Sequence, residues 1–369
     1  MMKKMKVLYI ITGLNTGGVE MMMQRAIAET SGEVESAVVS LMGIGTLGEA
    51  LRAAGVGVYT LDLKRNPLRV FKLFGIISAE KPDAIQCKMY HANLLGGIFG
   101  RLAGCKKIFW GIHHTSLAGE KFTTKLTDKL CAFLARFCCE KVVCCGIVAR
   151  DICRKNGYPA DKLAIIPNGY DTQKLSPDGE VRARMRRELG LSDSAIAVCH
   201  VGRYNKVKNH VGIIRSFAAF RRTHPDSELI FVGAGVDKAE DVAAEISALG
   251  LGGCVRALGL RSDVGDILNA VDFTVLFSFS EAFPNVLAES MLCGKLAISS
   301  DAGDARFIVG DADFIVPIGD EKALAEKMCR IADMPPQLRA ELGAKARESV
   351  IERFSLKSVC RKYIEMWRG

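Results

Sequence analysis

Long apolar runs are missing from this 369-residue chain. Nowhere do about 18 uncharged apolar residues follow one another, so no segment reads as crossing a bilayer. Low-complexity tracts are also absent. A secretory leader is not evident: the first eleven residues are basic, then apolar, but they run into a glycine loop and an amphipathic stretch, as a first β-strand does. Without such a leader, thirteen cysteines point to a reduced compartment rather than a disulfide scaffold. Cys138-Cys139 and Cys144-Cys145 could be imagined as a metal cluster, but Val142-Val143-Cys144-Cys145 reads as a buried strand in which Cys packs as a small hydrophobe. No nucleic-acid reader module is visible, which argues against DNA or RNA as a partner. Gly13 to Gly18 does not spell G-x-G-x-x-G, and no ribose-binding acid follows about 20 residues later, against a dinucleotide oxidoreductase.

What the chain does have is ample apolar content (49%) and charge (25%), the balance of an ordinary soluble globular protein. Its length exceeds the size at which one core keeps growing, so two domains are expected. Short apolar runs recur at 6–12, 36–41, 57–61, 84–87, 107–112, 142–145 and 163–166, with amphipathic stretches between most of them. Pro167-Asn168-Gly169 and a polar stretch break the rhythm, which restarts at 195–201, 228–232, 254–258, 273–277, 296–299 and 314–316. Strand–turn–helix alternation of this kind predicts an α/β chain with two Rossmann-like, doubly wound parallel sheets. The expected domains are residues 1–170 and 171–350, followed by a terminal segment, 351–369, with a helix over 356–367 and Ser355 as its N-cap.

Charge is unevenly placed. Residues 1–169 hold 23 Lys/Arg against 13 Asp/Glu, a net of +10, while the remainder is at −1. A basic first half calls for an anionic partner. Two stretches mix cations with large apolar residues, one from Lys64 to Phe74 and one from Lys121 to Arg136, where Lys121, Lys125 and Lys129 recur at helical spacing. Each alone is an ordinary solvated face. Together they point to an interfacial helix pair on an anionic membrane.

Four loops at the carboxyl ends of expected strands carry the chemistry. Glu281-Ala-Phe-Pro-Asn-Val-Leu-Ala-Glu289 places two carboxylates around a strand-to-helix turn, with Pro284 suited to a first helical turn and Glu289 about two turns into the helix. Ligands of open α/β sheets bind at this edge, and two acceptor groups suit a polyhydroxylated ligand. Such a pair could serve a glycosidase. Gly202-Arg203 and Lys208, however, offer a guanidinium and an ammonium ahead of a helix, a site for a diphosphate that a hydrolase does not need; Lys206 reads as a solvated bystander. The Gly13–Gly18 loop opens a helix, where Gly17 and Gly18 permit close approach of a ligand. Trp110-Gly-Ile-His113-His114 ends a strand of the first half, with His113 the candidate functional histidine.

Gly17-Gly18-Val19-Glu20, Ile166-Pro-Asn-Gly-Tyr-Asp171, Gly202-Arg203 with Lys208-Asn209-His210, and Glu281 to Glu289 together resemble, in order and over almost the whole chain, the retaining glycosyltransferases of family 4. The two glutamates with seven residues between them are the most specific part. The resemblance implies a GT-B architecture, two Rossmann-like domains facing a central cleft, an N-terminal acceptor domain, a C-terminal nucleotide-sugar domain, and a last helix that crosses back. It further implies that Arg203 and Lys208 bind the donor diphosphate and stabilise the leaving nucleotide. Glu289 would accept from the ribose. Glu281, with the backbone from Ala282 through Phe283 and Pro284 to Asn285, would hold the donor sugar and its phosphate. Gly17 and Gly18 would leave room for the donor phosphate or the acceptor, Gly202 would belong to the donor-binding set, and His113 would contact the transferred sugar. No cofactor and no metal are expected; the donor, a UDP-hexose or UDP-N-acetylhexosamine by family habit, is a co-substrate. The acceptor would be a glycan or a polyprenyl-diphosphate-linked glycan in surface polysaccharide or lipopolysaccharide assembly, with the enzyme cytoplasmic and peripheral on the inner face of the membrane. Ala282 replaces a usual glycine, and Cys144-Cys145 replaces a commoner Val-Ser pair. Asp311-Ala-Asp313 reads as a turn rather than a metal motif. The rivals are a nucleotide-sugar epimerase of similar fold and a nucleotide-sugar-binding subunit without turnover.

Overall fold

A computed structural model describes residues 3–15, 17–112 and 122–369. His113, His114 and Lys121 lie outside the described residues. The chain divides into two compact units, residues 1–169 with 356–369, and residues 170–355. The first holds a seven-stranded parallel sheet in the order β3-β2-β1-β4-β5-β6-β7, from β1 (Met5–Ile11), β2 (Val34–Ser40), β3 (Gly57–Thr60), β4 (Ala84–Lys88), β5 (Ile108–Ile112), β6 (Lys141–Cys144) and β7 (Leu163–Ile165). The second holds a six-stranded sheet in the order β10-β9-β8-β11-β12-β13, from β8 (Ile196–Val201), β9 (Ser227–Val232), β10 (Val255–Ala257), β11 (Phe273–Leu276), β12 (Leu296–Ser300) and β13 (Ile315–Val316). Every strand expected from sequence is present. The central strands β4, β5, β11 and β12 are buried along their whole length, as parallel strands covered by helices on both faces must be.

In the first unit, β1 pairs with β2 on one side and β4 on the other, so strand order reverses between β1 and β4. In the second, β8 pairs with β9 and β11, and order reverses there. Those two switch points fix where each sheet opens a crevice at its carboxyl edge. The last helix, Leu356–Arg368, belongs to the first unit. Val359, Cys360, Tyr363, Ile364 and Trp367 fall on one face and are buried. Trp367 donates from Nε1 to Gln86 Oε1 (3.1 Å), and its ring meets Tyr9 edge-on at 6.0 Å. Residues 351–354 finish the long helix Pro336–Phe354 of the second unit, and Ser355 is extended between the two helices. Among the described residues no helix is long and apolar enough to cross a membrane.

Candidate site at the carboxyl edge of the second sheet

The residues singled out around 202–208 and 281–289 come from the loops after β8 and β11, the two strands that flank the second switch point. The first loop leaves β8 at Gly202, forms a 3₁₀ turn over Lys206–Lys208, and enters the helix His210–Arg221. Asn205 accepts from Val207 N–H and Asn209 from Gly212 N–H, so each side chain starts its own turn. The second loop runs from β11 into the helix Asn285–Leu292, which ends on Gly294 at φ +72°. Lys295 N–H then reaches back to Ser290 O and Gly294 N–H to Met291 O, a Schellman stop. Pro284 takes the N-cap rather than the expected first turn, with ψ 90°, because its carbonyl must accept from Leu287 N–H. Glu289 accordingly stands the fifth residue into this helix, little more than one turn, not two.

The two loops are joined directly. Lys208 Nζ lies 2.5 Å from Glu281 Oε1, and Ser278 Oγ donates to the same oxygen at 2.5 Å. Phe279 N–H donates to Val207 O, a backbone link beside this pair. Arg203 is exposed, and among the described residues its guanidinium makes no ion pair or side-chain hydrogen bond. Lys206 is exposed, as expected of a bystander. Tyr170 donates to Asn285 Oδ1 at 2.6 Å, tying the start of the second unit to the head of the helix that carries Glu289. Phe283 is buried against Phe354, so its side chain packs the loop down and only its backbone is placed to meet a ligand.

Glycines in the neighbouring loops fix this geometry, at positions that no sequence motif marks. A Cβ on Gly233, after β9, would fall 2.0 Å from Gly202 O and 2.8 Å from Arg203 N. One on Gly303, after β12 and at φ +62°, would fall 2.4 Å from Glu281 O and 2.6 Å from Ala282 O. The carbonyl of Ala282 also accepts from Asp304 N–H (2.9 Å). The loops after β9 and β12 thus clamp the two functional loops from either side. Gly233→Ala is expected to cost about 1–3 kcal/mol of unfolding free energy in urea titration, because backbone cannot yield as a side chain can. Gly252→Ala, where a methyl group would meet nothing, should leave the midpoint in place.

Beneath the Lys208 loop lie two buried histidines: His210, which closes the Lys208-Asn209-His210 motif, and His200, which no motif marks. His200, on β8, donates from Nδ1 to Val275 O at 3.0 Å, which leaves Nε2 as a lone-pair acceptor with no hydrogen-bond partner among the described residues. His210 stacks edge-on at 4.8 Å, and among the described residues neither of its ring nitrogens has a hydrogen bond of acceptable geometry. Burial is the main cause that drives both down, His200 to about 3 and His210 to about 4, with the Lys208 ammonium adding to it. The Gly202 backbone, and after it the Asp241 carboxylate, oppose the shift of His210 without reversing it. Both rings are therefore neutral at pH 7.

In the first unit, Gly17 is the N-cap of the helix Gly18–Thr30. The Glu20 carboxylate folds back over it, 2.4 Å from where a Cβ would be, while Gly18 faces open space. Across the same switch point, Met89 follows β4 with φ +76° and ψ 155°, a conformation costly for a side-chain-bearing residue. Met89 N–H donates to Gly111 O, and buried Asn93 bonds Gly111 through both its amide atoms, which holds the strained residue in place. His113 lies outside the described residues. The triplet Asp311-Ala-Asp313 is a turn: Asp311 accepts from Asp313 N–H, and Asp313 pairs with Arg330 at 2.8 Å. Among the described residues, no three His, Cys, Asp or Glu side chains are grouped so as to hold a metal ion.

Comparison with known proteins agrees with this layout. The family model described as Glycosyltransferase Family 4 matches residues 16–174, and that of Glycosyl transferases group 1 matches residues 181–349. The UDP-Gal:alpha-D-GlcNAc-diphosphoundecaprenol alpha-1,3-galactosyltransferase of Escherichia coli is 25% identical over 283 residues, 74% of this chain and 72% of that protein. The N-acetyl-alpha-D-glucosaminyl L-malate synthase of Bacillus anthracis is 28% identical over 182 residues, 49% of this chain and 47% of that protein. In fold, the crystal structure of Anabaena Alr3699/HepE in complex with UDP superposes with a TM-score of 0.84 at 21% identity, covering 99% of this chain and 100% of the other. Two family matches in tandem, each laid on its own parallel sheet, make this chain a member of the group 1 glycosyltransferases with the GT-B fold.

Proposed function

We propose that the protein is a retaining, metal-independent glycosyltransferase that moves a sugar from a nucleoside-diphosphate donor to a glycan or polyprenyl-diphosphate-linked acceptor. The observation that carries this reading is the Lys208–Glu281 pair at the second switch point, with the Arg203 guanidinium on the same loop. A departing diphosphate gains negative charge, and a guanidinium, an ammonium and the positive end of the helix Asn285–Leu292 can neutralise it without a metal. On donor binding the phosphate competes with Glu281 for Lys208, which frees the carboxylate for the sugar hydroxyls. The acceptor oxygen then forms its bond to the anomeric carbon on the face from which the phosphate oxygen departs. Its proton passes to that phosphate. Glu289 accepts from the ribose, and His113 contacts the transferred sugar. The Escherichia coli relative is named for UDP-galactose and a diphosphoundecaprenol-linked acceptor, and the Anabaena structure holds UDP, which supports a UDP-sugar and a lipid-linked acceptor in surface polysaccharide or lipopolysaccharide assembly. Such an acceptor would place the enzyme at the inner face of the cell membrane.

The test is thermal-shift screening against UDP-, GDP- and ADP-sugars, since a ligand that binds only the native state raises the melting temperature. A UDP-hexose or UDP-N-acetylhexosamine should raise it. Glu289→Ala should weaken donor binding about 10- to 100-fold, the worth of hydrogen bonds to a charged group, seen as a right-shifted titration and a higher donor KM. A panel in which no nucleotide sugar moves the melting temperature, or an alanine variant titrating like the wild type, would overturn the assignment.

A further inference from the structure

The helix Phe122–Cys138 has two apolar faces where one would suffice. The inner face packs on the helix Tyr90–Leu102, with Cys131, Ala132 and Ala135 at 0–4% exposure. The outer face carries Leu126, Leu130, Phe133 and Phe137, at 47, 43, 61 and 62% exposure. At about 100° per residue these four positions fall within a strip about 60° wide and roughly 16 Å long. Beside that strip stand Lys125, Lys129 and Arg136, all exposed, with the Arg136 guanidinium 5.9 Å from the Phe133 ring. The helix has one acid, Asp128, and it is turned inward to accept from Tyr158 OH and Asn156 Nδ2, both at 2.8 Å. The outer face is therefore apolar and cationic, without a carboxylate.

A second exposed element adjoins the same helical layer. The turn Pro67–Phe71 presents Leu68 and Phe71 at 73 and 65% exposure, and the Phe71 ring seats edge-on against Phe99 of the helix Tyr90–Leu102 at 6.2 Å. Lys72, just beyond it, is exposed. Aromatic side chains held outward beside cations are costly in water and suit the boundary between headgroups and acyl chains. A second copy of the chain fits less well, since a two-fold pairing of these strips would set Lys125, Lys129 and Arg136 against their own counterparts.

We propose that the outer face of the helix Phe122–Cys138, with the Pro67–Phe71 turn as a second contact, docks the first unit on an anionic lipid bilayer, the helix lying in the plane of the surface. This deepens the reading of a lipid-linked acceptor and rests on it for its purpose, but its test needs no turnover. The full chain should co-float with phosphatidylglycerol-containing vesicles at low salt and far less with phosphatidylcholine alone. Phe133→Ser/Phe137→Ser and, separately, Lys125→Glu/Lys129→Glu should each lower partitioning about tenfold or more, given about 1 kcal/mol per surface cation. Both double variants should keep the wild-type melting temperature and its shift with nucleotide sugar, because every altered side chain is exposed. Wild-type protein that stays with the soluble fraction, variants that float as well as wild type, or a dimer in sedimentation that these substitutions dissolve, would each overturn the docking surface. A failed nucleotide-sugar shift with intact flotation would instead count against the catalytic reading alone.

Discussion

Lys208→Ala is expected to lower kcat for sugar transfer by about 100- to 1,000-fold, the usual loss when one preorganised group aimed at developing charge is removed. The ammonium is already fixed before any donor arrives, 2.5 Å from Glu281 Oε1 and with 22% of its side chain exposed. A cation positioned in advance helps the departing diphosphate more than the bound one, so the loss should fall on kcat more than on KM. Lys208→Arg keeps the charge but replaces a point donor with a planar fork, and should recover only part of the rate. Arg203→Ala should behave like Lys208→Ala, with less effect on stability, because Arg203 is exposed and its guanidinium makes no ion pair or side-chain hydrogen bond among the described residues. Initial rates with the matched donor and acceptor, set beside melting temperatures, separate chemistry from folding. Wild-type turnover in both alanine variants would remove the diphosphate site from this loop.

The reason these two loops could be picked out in advance, and their contact could not, is one of range. A strand, a turn and a helix start are written in neighbouring residues: the apolar runs predict all thirteen strands, and Pro284 marks the start of the helix between β11 and β12 to within one residue. Ends slipped where a local side chain intervened. The expected strand 314–316 begins only at Ile315, because the Asp311 carboxylate winds Ala312–Phe314 into a 3₁₀ turn. Contacts between residues far apart in the chain carry no such local mark. Lys208 and Glu281 are 73 residues apart, and Tyr170 and Asn285 are 115 apart. Only the order of strands in the sheet brings them together. Gly233 and Gly303 could have been found, since each follows a strand directly, but the reason for glycine there is the backbone of another loop. Met89 had no signal at all: its strain comes from Asn93 and Gly111, and a methionine does not announce a positive φ.

His200 and His210 lead to the other large expected effect, on stability rather than rate. Their folded pKa values, about 3 and about 4, lie below the value of about 6.5 expected in the unfolded chain. Below pH 6.5 the unfolded chain therefore takes up protons that the folded one refuses, and the equilibrium moves toward unfolding. Above pH 6.5 the penalty is absent. It grows as pH falls toward about 4, reaching about 2 kcal/mol per histidine at pH 5. Protonation in place would set two imidazolium rings 4.8 Å apart beneath the Lys208 ammonium, with no hydrogen-bond acceptor among the described residues on three of their four ring nitrogens. Urea titrations at pH 7.5 and pH 5.0 should thus show a loss for the wild type that His200→Gln/His210→Gln does not share, even if the variant starts from lower stability. Carboxylates titrate alike in both proteins and cancel in the comparison. Equal losses in the two would mean that the rings are hydrated or hydrogen-bonded in solution, and that the floor of the Lys208 loop is polar rather than dry.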